Sequence, residues 1–356
     1  MQCLRPGLAF EMVGRLRRGS ISALCDNLLR RMRGQALRGQ ALRRLCSGPG
    51  VPRSWRSDWS VASTRRGPPA EPLKYFSAWF CPFAHRATIA LEHHRAAVPF
   101  EWEESLGWET RPPTGAEDHT ADDRDDWYYH WKSPALLAAN PLGMIPTLQD
   151  PKSGRAVSES LVVIQFVDEL AQMRGSRAAP LLPQDPFERA RARVVADRVN
   201  RQVTSRYYQV LVRTDAQERR EAFAGLLDGL REFTGELRGD FWGGDSIGLV
   251  DCALLPYAWR LYAIEHYRGP EFAVPAAGEG GLWEKYGAWL ARMSALPSVA
   301  PTLPDKERYL QHVKKYAEGK ARSKVGNAVR RGASAHDYDD KLDDADVPTK
   351  GGERVA

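Results

Sequence analysis

Cys81 stands directly before Pro82 in the run Phe80-Cys81-Pro82-Phe83-Ala84-His85-Arg86, and proline is favoured at the first position of a helix. A thiol at that boundary faces unpaired backbone N–H groups and the positive end of the helix dipole. Both favour thiolate over thiol, so the spacing predicts a nucleophilic Cys81 with a depressed pKa. The fourth position of the motif is Ala84, where a dithiol oxidoreductase would carry a resolving cysteine. Cys81 therefore needs an outside thiol to release it from a mixed disulfide, which points to glutathione as the second substrate.

Two further motifs follow. In Asn140-Pro141-Leu142-Gly143-Met144-Ile145-Pro146-Thr147-Leu148, Gly143 permits a tight approach and Pro146 opens a strand where a ladder N–H would otherwise be required. A cis Ile145–Pro146 bond would turn the main chain of Ile145 outward to pair with a peptide; an ordinary trans proline is the alternative. In Glu159-Ser160, Ser160 is a candidate N-cap for a helix whose free N–H groups can bind a carboxylate, and Glu159 could pair with an ammonium. That pair suits an α-amino acid head group such as the γ-glutamyl end of glutathione; a plain capping pair is the alternative.

The pattern around these motifs supplies elements to hold them. Leu73–Trp79 reads as a buried strand, Pro82–His94 as a helix and Phe100–Leu106 as a second strand. Gly107–His130 reads as an acidic loop, Ser133–Asn140 as a short helix, and Ile145–Gln149 with Arg155–Val157 as a hairpin. Ser160–Leu170 closes this mixed domain, 71–172, as a helix. After a polar linker, 173–186, only helical patterns appear: Phe187–Val212, Ala216–Arg238, Leu249–Ile264 and Leu282–Ser294. The second domain, 187–316, is expected to be all-helical. Within it Asp251 should cap backwards onto the Gly248 N–H, and Cys252 should be inert packing. His85 should face solvent.

The ends differ from this body. Residues 1–70 hold 14 Arg, no Lys and three acids, a net +11 that leaves −5 for the remainder of a 356-residue chain of net charge +6. That leader has the Arg-rich, acid-poor composition of a mitochondrial transit peptide, with a cytoplasmic protein carrying a basic extension as the alternative. From Ala317 a basic run gives way to an acidic one, and the tail 317–356 is expected to be disordered. The positive charge thus belongs to the leader and is no argument for nucleic-acid binding. No apolar run is long enough for a transmembrane segment. The five cysteines lack regular spacing, and no zinc motif is present, so no metal is expected.

Taken together, C-P-F-A-H-R, N-P-L-G-M-I-P-T-L and E-S before an apolar helix resemble the cysteine-type omega class of glutathione transferases, including its fungal members; the resemblance covers residues 72–316. It implies an α+β thioredoxin-like N-terminal domain followed by an all-α glutathione-transferase C-terminal domain, a homodimer, and glutathione as co-substrate beside a small electrophilic or disulfide substrate. It implies that Cys81 forms the mixed disulfide, Phe83 packs near the tripeptide, and Ile145 pairs with its main chain before Pro146. Glu159 and Ser160 would hold the γ-glutamyl group, and Lys132 would face the glycyl carboxylate. Tyr257 is the candidate for the electrophile pocket, with Tyr207, Tyr208 and Arg206 as rivals. The implied activity is glutathione-dependent thiol transfer or reduction, of glutathionylated, dehydroascorbate-type or electrophilic acceptors. The alternatives are a glutathionyl-hydroquinone reductase-like enzyme, whose C-P-W-A-H-R is close to the motif here, a β-etherase-like lyase, and a non-catalytic binding or regulatory relative.

Overall fold

Tyr75, at the centre of the first strand, links that strand to the start of the first helix. Its hydroxyl donates to the Ala84 carbonyl at 2.6 Å and lies 2.9 Å from Thr88 Oγ1. The strand is β1 (Leu73–Ser77) and the helix α1 (Pro82–His93), in a computed structural model that describes residues 71–111 and 127–338. The leader 1–70, the acid-rich stretch 112–126 and residues 339–356 lie outside the described residues, and with them the expectations of a transit segment and of most of the acidic loop.

β1 runs parallel to β2 (Phe100–Glu104) and antiparallel to β5 (Thr147–Gln149), which pairs in turn with β6 (Ala156–Ser158). The sheet order is β2-β1-β5-β6. Helix α1 and helix α3 (Ser160–Met173) pack together against it, and α2 (Pro134–Ala139) leads into the loop before β5. α1 is buried without a break from Ala84 through Leu91, because the helical domain covers the face that the sheet leaves free.

That domain comprises α4 (Pro186–Val199), α5 (Ser205–Val212), α6 (Ala216–Gly235), α7 (Leu249–Ala258), α8 (Tyr262–Arg268), α9 (Leu282–Ala295) and α10 (Lys306–Ala317). The expected single helix Phe187–Val212 contains a π-helical turn at Asn200–Thr204, and the expected Leu249–Ile264 divides after Ala258, just past Pro256. None of the described helices is long and apolar enough to cross a membrane. The order of elements is the α+β domain followed by helices that the sequence implied.

Two expectations fail in the same place. The two ends of the supposed loop Gly107–His130 are strands, β3 (Leu106–Arg111) and β4 (Trp127–Lys132), which pair antiparallel. The supposed disordered tail supplies β7 (Ala321–Arg322), parallel to β4, and then helix α11 (Lys324–Arg330). Composition treats the tail as an isolated segment, but here it has partners. Ala321, Ala328, Val329 and Ala335 are buried, Arg322 lies 3.2 Å over the Trp127 ring, and Ser205 Oγ meets Ser334 Oγ at 2.8 Å and His336 Nδ1 at 3.1 Å.

This second sheet and tail carry an acid-sensitive pair. Burial, with Lys132 nearby, pulls His130 down to about 3; burial, with Arg86 nearby, does the same to His336. Both stay neutral in the fold while an unfolded chain protonates them below its ordinary value near 6.5. Stability should therefore fall as pH drops from 6.5 towards 3, by about 1.4 kcal/mol per pH unit for each histidine. Melting curves between pH 7 and 5 should show that fall, to which the buried His85 and His312 add, and the His130→Asn/His336→Asn variant should lessen it; an unchanged slope would count against the assignment.

Candidate functional site

Cys81 occupies the N-cap of α1, with extended dihedrals (φ −72°, ψ 116°) and Pro82 at the first helical position. Its Sγ accepts from the Ala84 N–H at 3.5 Å. The expected depressed pKa is not what results. Burial pushes the thiol up, and the N–H groups of Ala84 and Phe83 with the charges of Arg260 and Arg86 offset this only in part. The second sheet and the tail supply His130, Lys132, Arg322 and Lys324 to the cavity that Cys81 and Ile145 also line, a roof over the half-buried thiol.

Two buried arginines stand behind the thiol. Arg86, wholly buried, donates to the Ala253 carbonyl at 2.8 Å, to Thr204 Oγ1 at 2.9 Å and to Ser160 Oγ at 3.2 Å, joining α1 to both α3 and the helical domain. Arg260, equally buried, donates to the Pro256 carbonyl at 2.7 Å and to His85 Nδ1 at 3.1 Å. An arginine can only donate, so His85 Nδ1 is the acceptor and the proton sits on Nε2, 2.8 Å from Thr302 Oγ1. His85 is thus buried rather than solvent-facing, and burial holds it well below its usual value. It is a neutral ligand of Arg260, and the guanidinium carries the charge that acts on Cys81.

The loop before β5 is fixed from within. The Ile145–Pro146 peptide is cis. Asn140 Nδ2 donates to the Met144 carbonyl at 3.2 Å and to Thr147 Oγ1 at 3.1 Å, and that hydroxyl donates to the Met144 carbonyl at 2.7 Å. Gly143 has φ +60°, and a Cβ there would lie 2.8 Å from Lys132 Nζ. Only glycine meets both demands.

At the start of α3, Glu159 rather than Ser160 occupies the capping position, and no side chain caps it. Ser160 is the first helical residue, with its hydroxyl turned to Arg86 instead of to its own helix. Glu159 is exposed and held at φ +71°, a conformation that costs a non-glycine residue about 1–3 kcal/mol.

The structure therefore gathers Cys81, Phe83, Lys132 and Ile145 around one cavity, with Pro146 next to Ile145, while Glu159 and Ser160 lie outside its wall. Tyr257 does not line it: the ring is wholly buried, 5.8 Å behind Phe83, with no partner for its hydroxyl among the described residues. The wall is instead Tyr208, stacked on Phe83 with ring centroids 6.2 Å apart, together with Tyr309, His312 and Tyr316 of α10. Tyr208 was visible in the sequence as a rival. The residues of α10 and the tail carry no local signal, because in the sequence α10 is the end of the domain and the tail has the composition of a solvated extension. Among the described residues no group of three His, Cys, Asp or Glu side chains could hold a metal.

Residues 80–170 match the family model described as glutathione S-transferase, N-terminal domain, and residues 216–295 the one for the C-terminal domain. Both matches end before α10 and the tail. A probable glutathione S-transferase of Nicotiana tabacum, parC, is 34% identical over 186 residues, which is 51% of this chain and 78% of the relative. Among solved structures, glutathione transferase Omega 3C of Trametes versicolor superposes with a TM-score of 0.53 at 25% identity, over 70% of this chain and 91% of that one. Rice GST1 in complex with glutathione gives 0.53 at 26%, over 70% and 99%. The sequence relatives are plant proteins of the tau class, whereas the structural neighbours include both tau and omega classes.

Proposed function

The chain belongs to the glutathione S-transferase family, and from that premise we propose a glutathione-dependent thiol transferase of the omega type with Cys81 as its single nucleophile. What carries this reading is the thiol inventory. Cys81 caps α1 beside the cavity, Ala84 stands where a resolving thiol would be, and Cys252, the one other described cysteine, is wholly buried with its thiol pushed well up. A monothiol in that position forms a mixed disulfide and cannot resolve it internally.

In the reaction, the Cys81 thiolate attacks the glutathione sulfur of a mixed disulfide. The Cys81–glutathione disulfide forms, the original S–S bond breaks, and the substrate leaves as a thiolate that takes up a proton. A second glutathione thiolate then attacks the glutathione sulfur of this adduct, giving oxidised glutathione and free Cys81. The buried Arg86 and Arg260 favour the anion at each stage in which Cys81 bears it. Glu159 and Ser160 hold the γ-glutamyl head group, Ile145 pairs with the peptide backbone, Lys132 faces the glycyl carboxylate, and the assembly is a homodimer. The strain retained at Glu159 supports its place in that list, since outliers of this kind gather at ligand contacts.

Purified protein assayed with glutathione against a mixed disulfide, dehydroascorbate, a glutathionyl-hydroquinone and a chlorinated aromatic should turn over the first two fastest. Preference for the hydroquinone conjugate would favour the reductase alternative. Turnover of the chlorinated aromatic alone would sink the thiol-transfer reading.

A further inference from the structure

We infer that His312, on helix α10 beyond both matched domains, is a further catalytic residue, donating a hydrogen bond from Nδ1–H to the sulfur that leaves when Cys81 attacks a mixed disulfide. The role rests on the proposed thiol-transfer reading and adds one group to it. His312 lines the same cavity as Cys81 and is 9% exposed. Its Nε2 lies 3.0 Å from the Trp108 indole nitrogen. An indole N–H can only donate, so Nε2 is the acceptor and the ring proton sits on Nδ1. Burial, with the charges of Lys315 and Arg260 nearby, holds the imidazole well below its usual value, so the ring is neutral at working pH. One nitrogen of this fixed tautomer is committed to Trp108. Among the described residues no hydrogen bond engages the other, which carries the proton. A donor left over on a ring that lines a cavity is available to a ligand.

The ring is held in place by what surrounds the thiol. It stacks on Phe80, the residue before Cys81, with centroids 3.7 Å apart, and Trp79 meets it edge-on at 5.4 Å. Tyr309, His312, Val313 and Tyr316 recur at helical spacing, so one face of α10 brings all four to the cavity. Glutathione takes the Ile145 wall in the proposed reading, which leaves the α10 wall to the departing group. There the Cys81 thiolate forms its bond to the glutathione sulfur, the original S–S bond breaks, and that electron pair goes to the departing sulfur. Nδ1–H meets the charge as it develops. Solvent supplies the proton that the product thiol keeps, and His312 stays neutral throughout. Such help matters most for a weakly acidic thiol, because a leaving thiol of low pKa departs readily unaided. In the second half-reaction the leaving sulfur is Cys81 itself, at the N-terminus of α1, so His312 has no part in it.

Single-turnover mixing of the full-length protein with glutathione mixed disulfides of an acidic aromatic thiol and of an alkyl thiol tests this. Formation of the Cys81 adduct and its reduction by glutathione are timed separately. His312→Phe keeps a ring against Phe80 and deletes the donor. It should slow adduct formation about tenfold or more with the alkyl disulfide and less than about threefold with the aromatic one, leaving adduct reduction unchanged. His312→Asn, whose amide N–H can stand where Nδ1 stands, should recover the alkyl rate to within about threefold. Equal slowing of both disulfides, or of both half-reactions, would reduce His312 to packing, and an undiminished alkyl rate would remove it from the reaction; either overturns the inference. If the variants do not fold, the unaltered protein decides across a series of leaving thiols. Its rates should fall less steeply with thiol pKa than those of a free thiolate attacking the same disulfides, and an equally steep fall denies the donor. Failure of the unaltered protein to form any Cys81 adduct would overturn the parent reading as well, an outcome distinct from the others.

Discussion

Replacing Cys81 by alanine or serine should cut glutathione-dependent thiol transfer by at least about a thousandfold and remove the glutathione adduct seen by intact mass. Cys252, the other described thiol, is sealed in the helical core, so among the described residues no other thiol can take over the attack. Serine is the sharper test, because it is a good N-cap and can accept the Ala84 N–H that now meets sulfur. Fold and glutathione binding should survive in that variant while chemistry is lost. The same geometry predicts how the free enzyme reacts. Burial lifts the Cys81 thiol above its ordinary value, so alkylation of the ligand-free protein should be slow at neutral pH and rise in alkali. A variant that keeps thiol-transferase turnover, or an adduct that forms without Cys81, would end the proposed mechanism.

What could be read from the sequence was what is local. The cysteine at the N-cap before Pro82, the Asn140–Leu148 loop whose proline could be cis or trans, and the Asp251 contact to Gly248 each span fewer than ten residues, and their placement is set by neighbours in the chain. The roof over the thiol was not legible, because it depends on β4 meeting β7 across some 190 residues. A two-residue strand has no periodicity, and its partner was hidden in a run dominated by acids. The environment of His85 was missed for a related reason. Nothing in the chain near it shows that Thr302 and Arg260 from the second domain close over it, so a solvent-facing imidazole is the local expectation. Tyr257 and Tyr208 could not be ranked either, since both sit on helical patterns and only the packing of Phe83 decides which one meets the cavity.

The largest expected loss of stability lies away from the thiol, at Asp251. The residue is wholly buried and its carboxylate takes three N–H donors: Gly248 at 2.9 Å, Trp242 at 3.0 Å and the Trp289 indole at 2.8 Å. One carboxylate therefore starts α7, anchors the loop before it, and holds Trp289 of α9, whose ring packs 4.7 Å from Phe233 of α6. Alanine would leave all three donors buried without a partner, which alone costs about 1–3 kcal/mol each. The full sum is not expected, because burial raises the Asp251 pKa to about 6: the ionised group already bears a desolvation cost that its donors only partly offset, and alanine removes that cost. A net destabilisation of about 3–5 kcal/mol follows, the range for one partner removed from a buried charged network. For a domain pair of this size that is a fall in Tm of roughly 6–20 °C. Asp251→Asn should fall between, since its carbonyl can keep Trp242 and Trp289 while its NH2 group is turned against the Gly248 N–H. Melting curves of the two variants beside the unaltered protein at pH 7 would settle the order, and a drop of less than about 2 °C for alanine would mean that this carboxylate does not hold the three elements together.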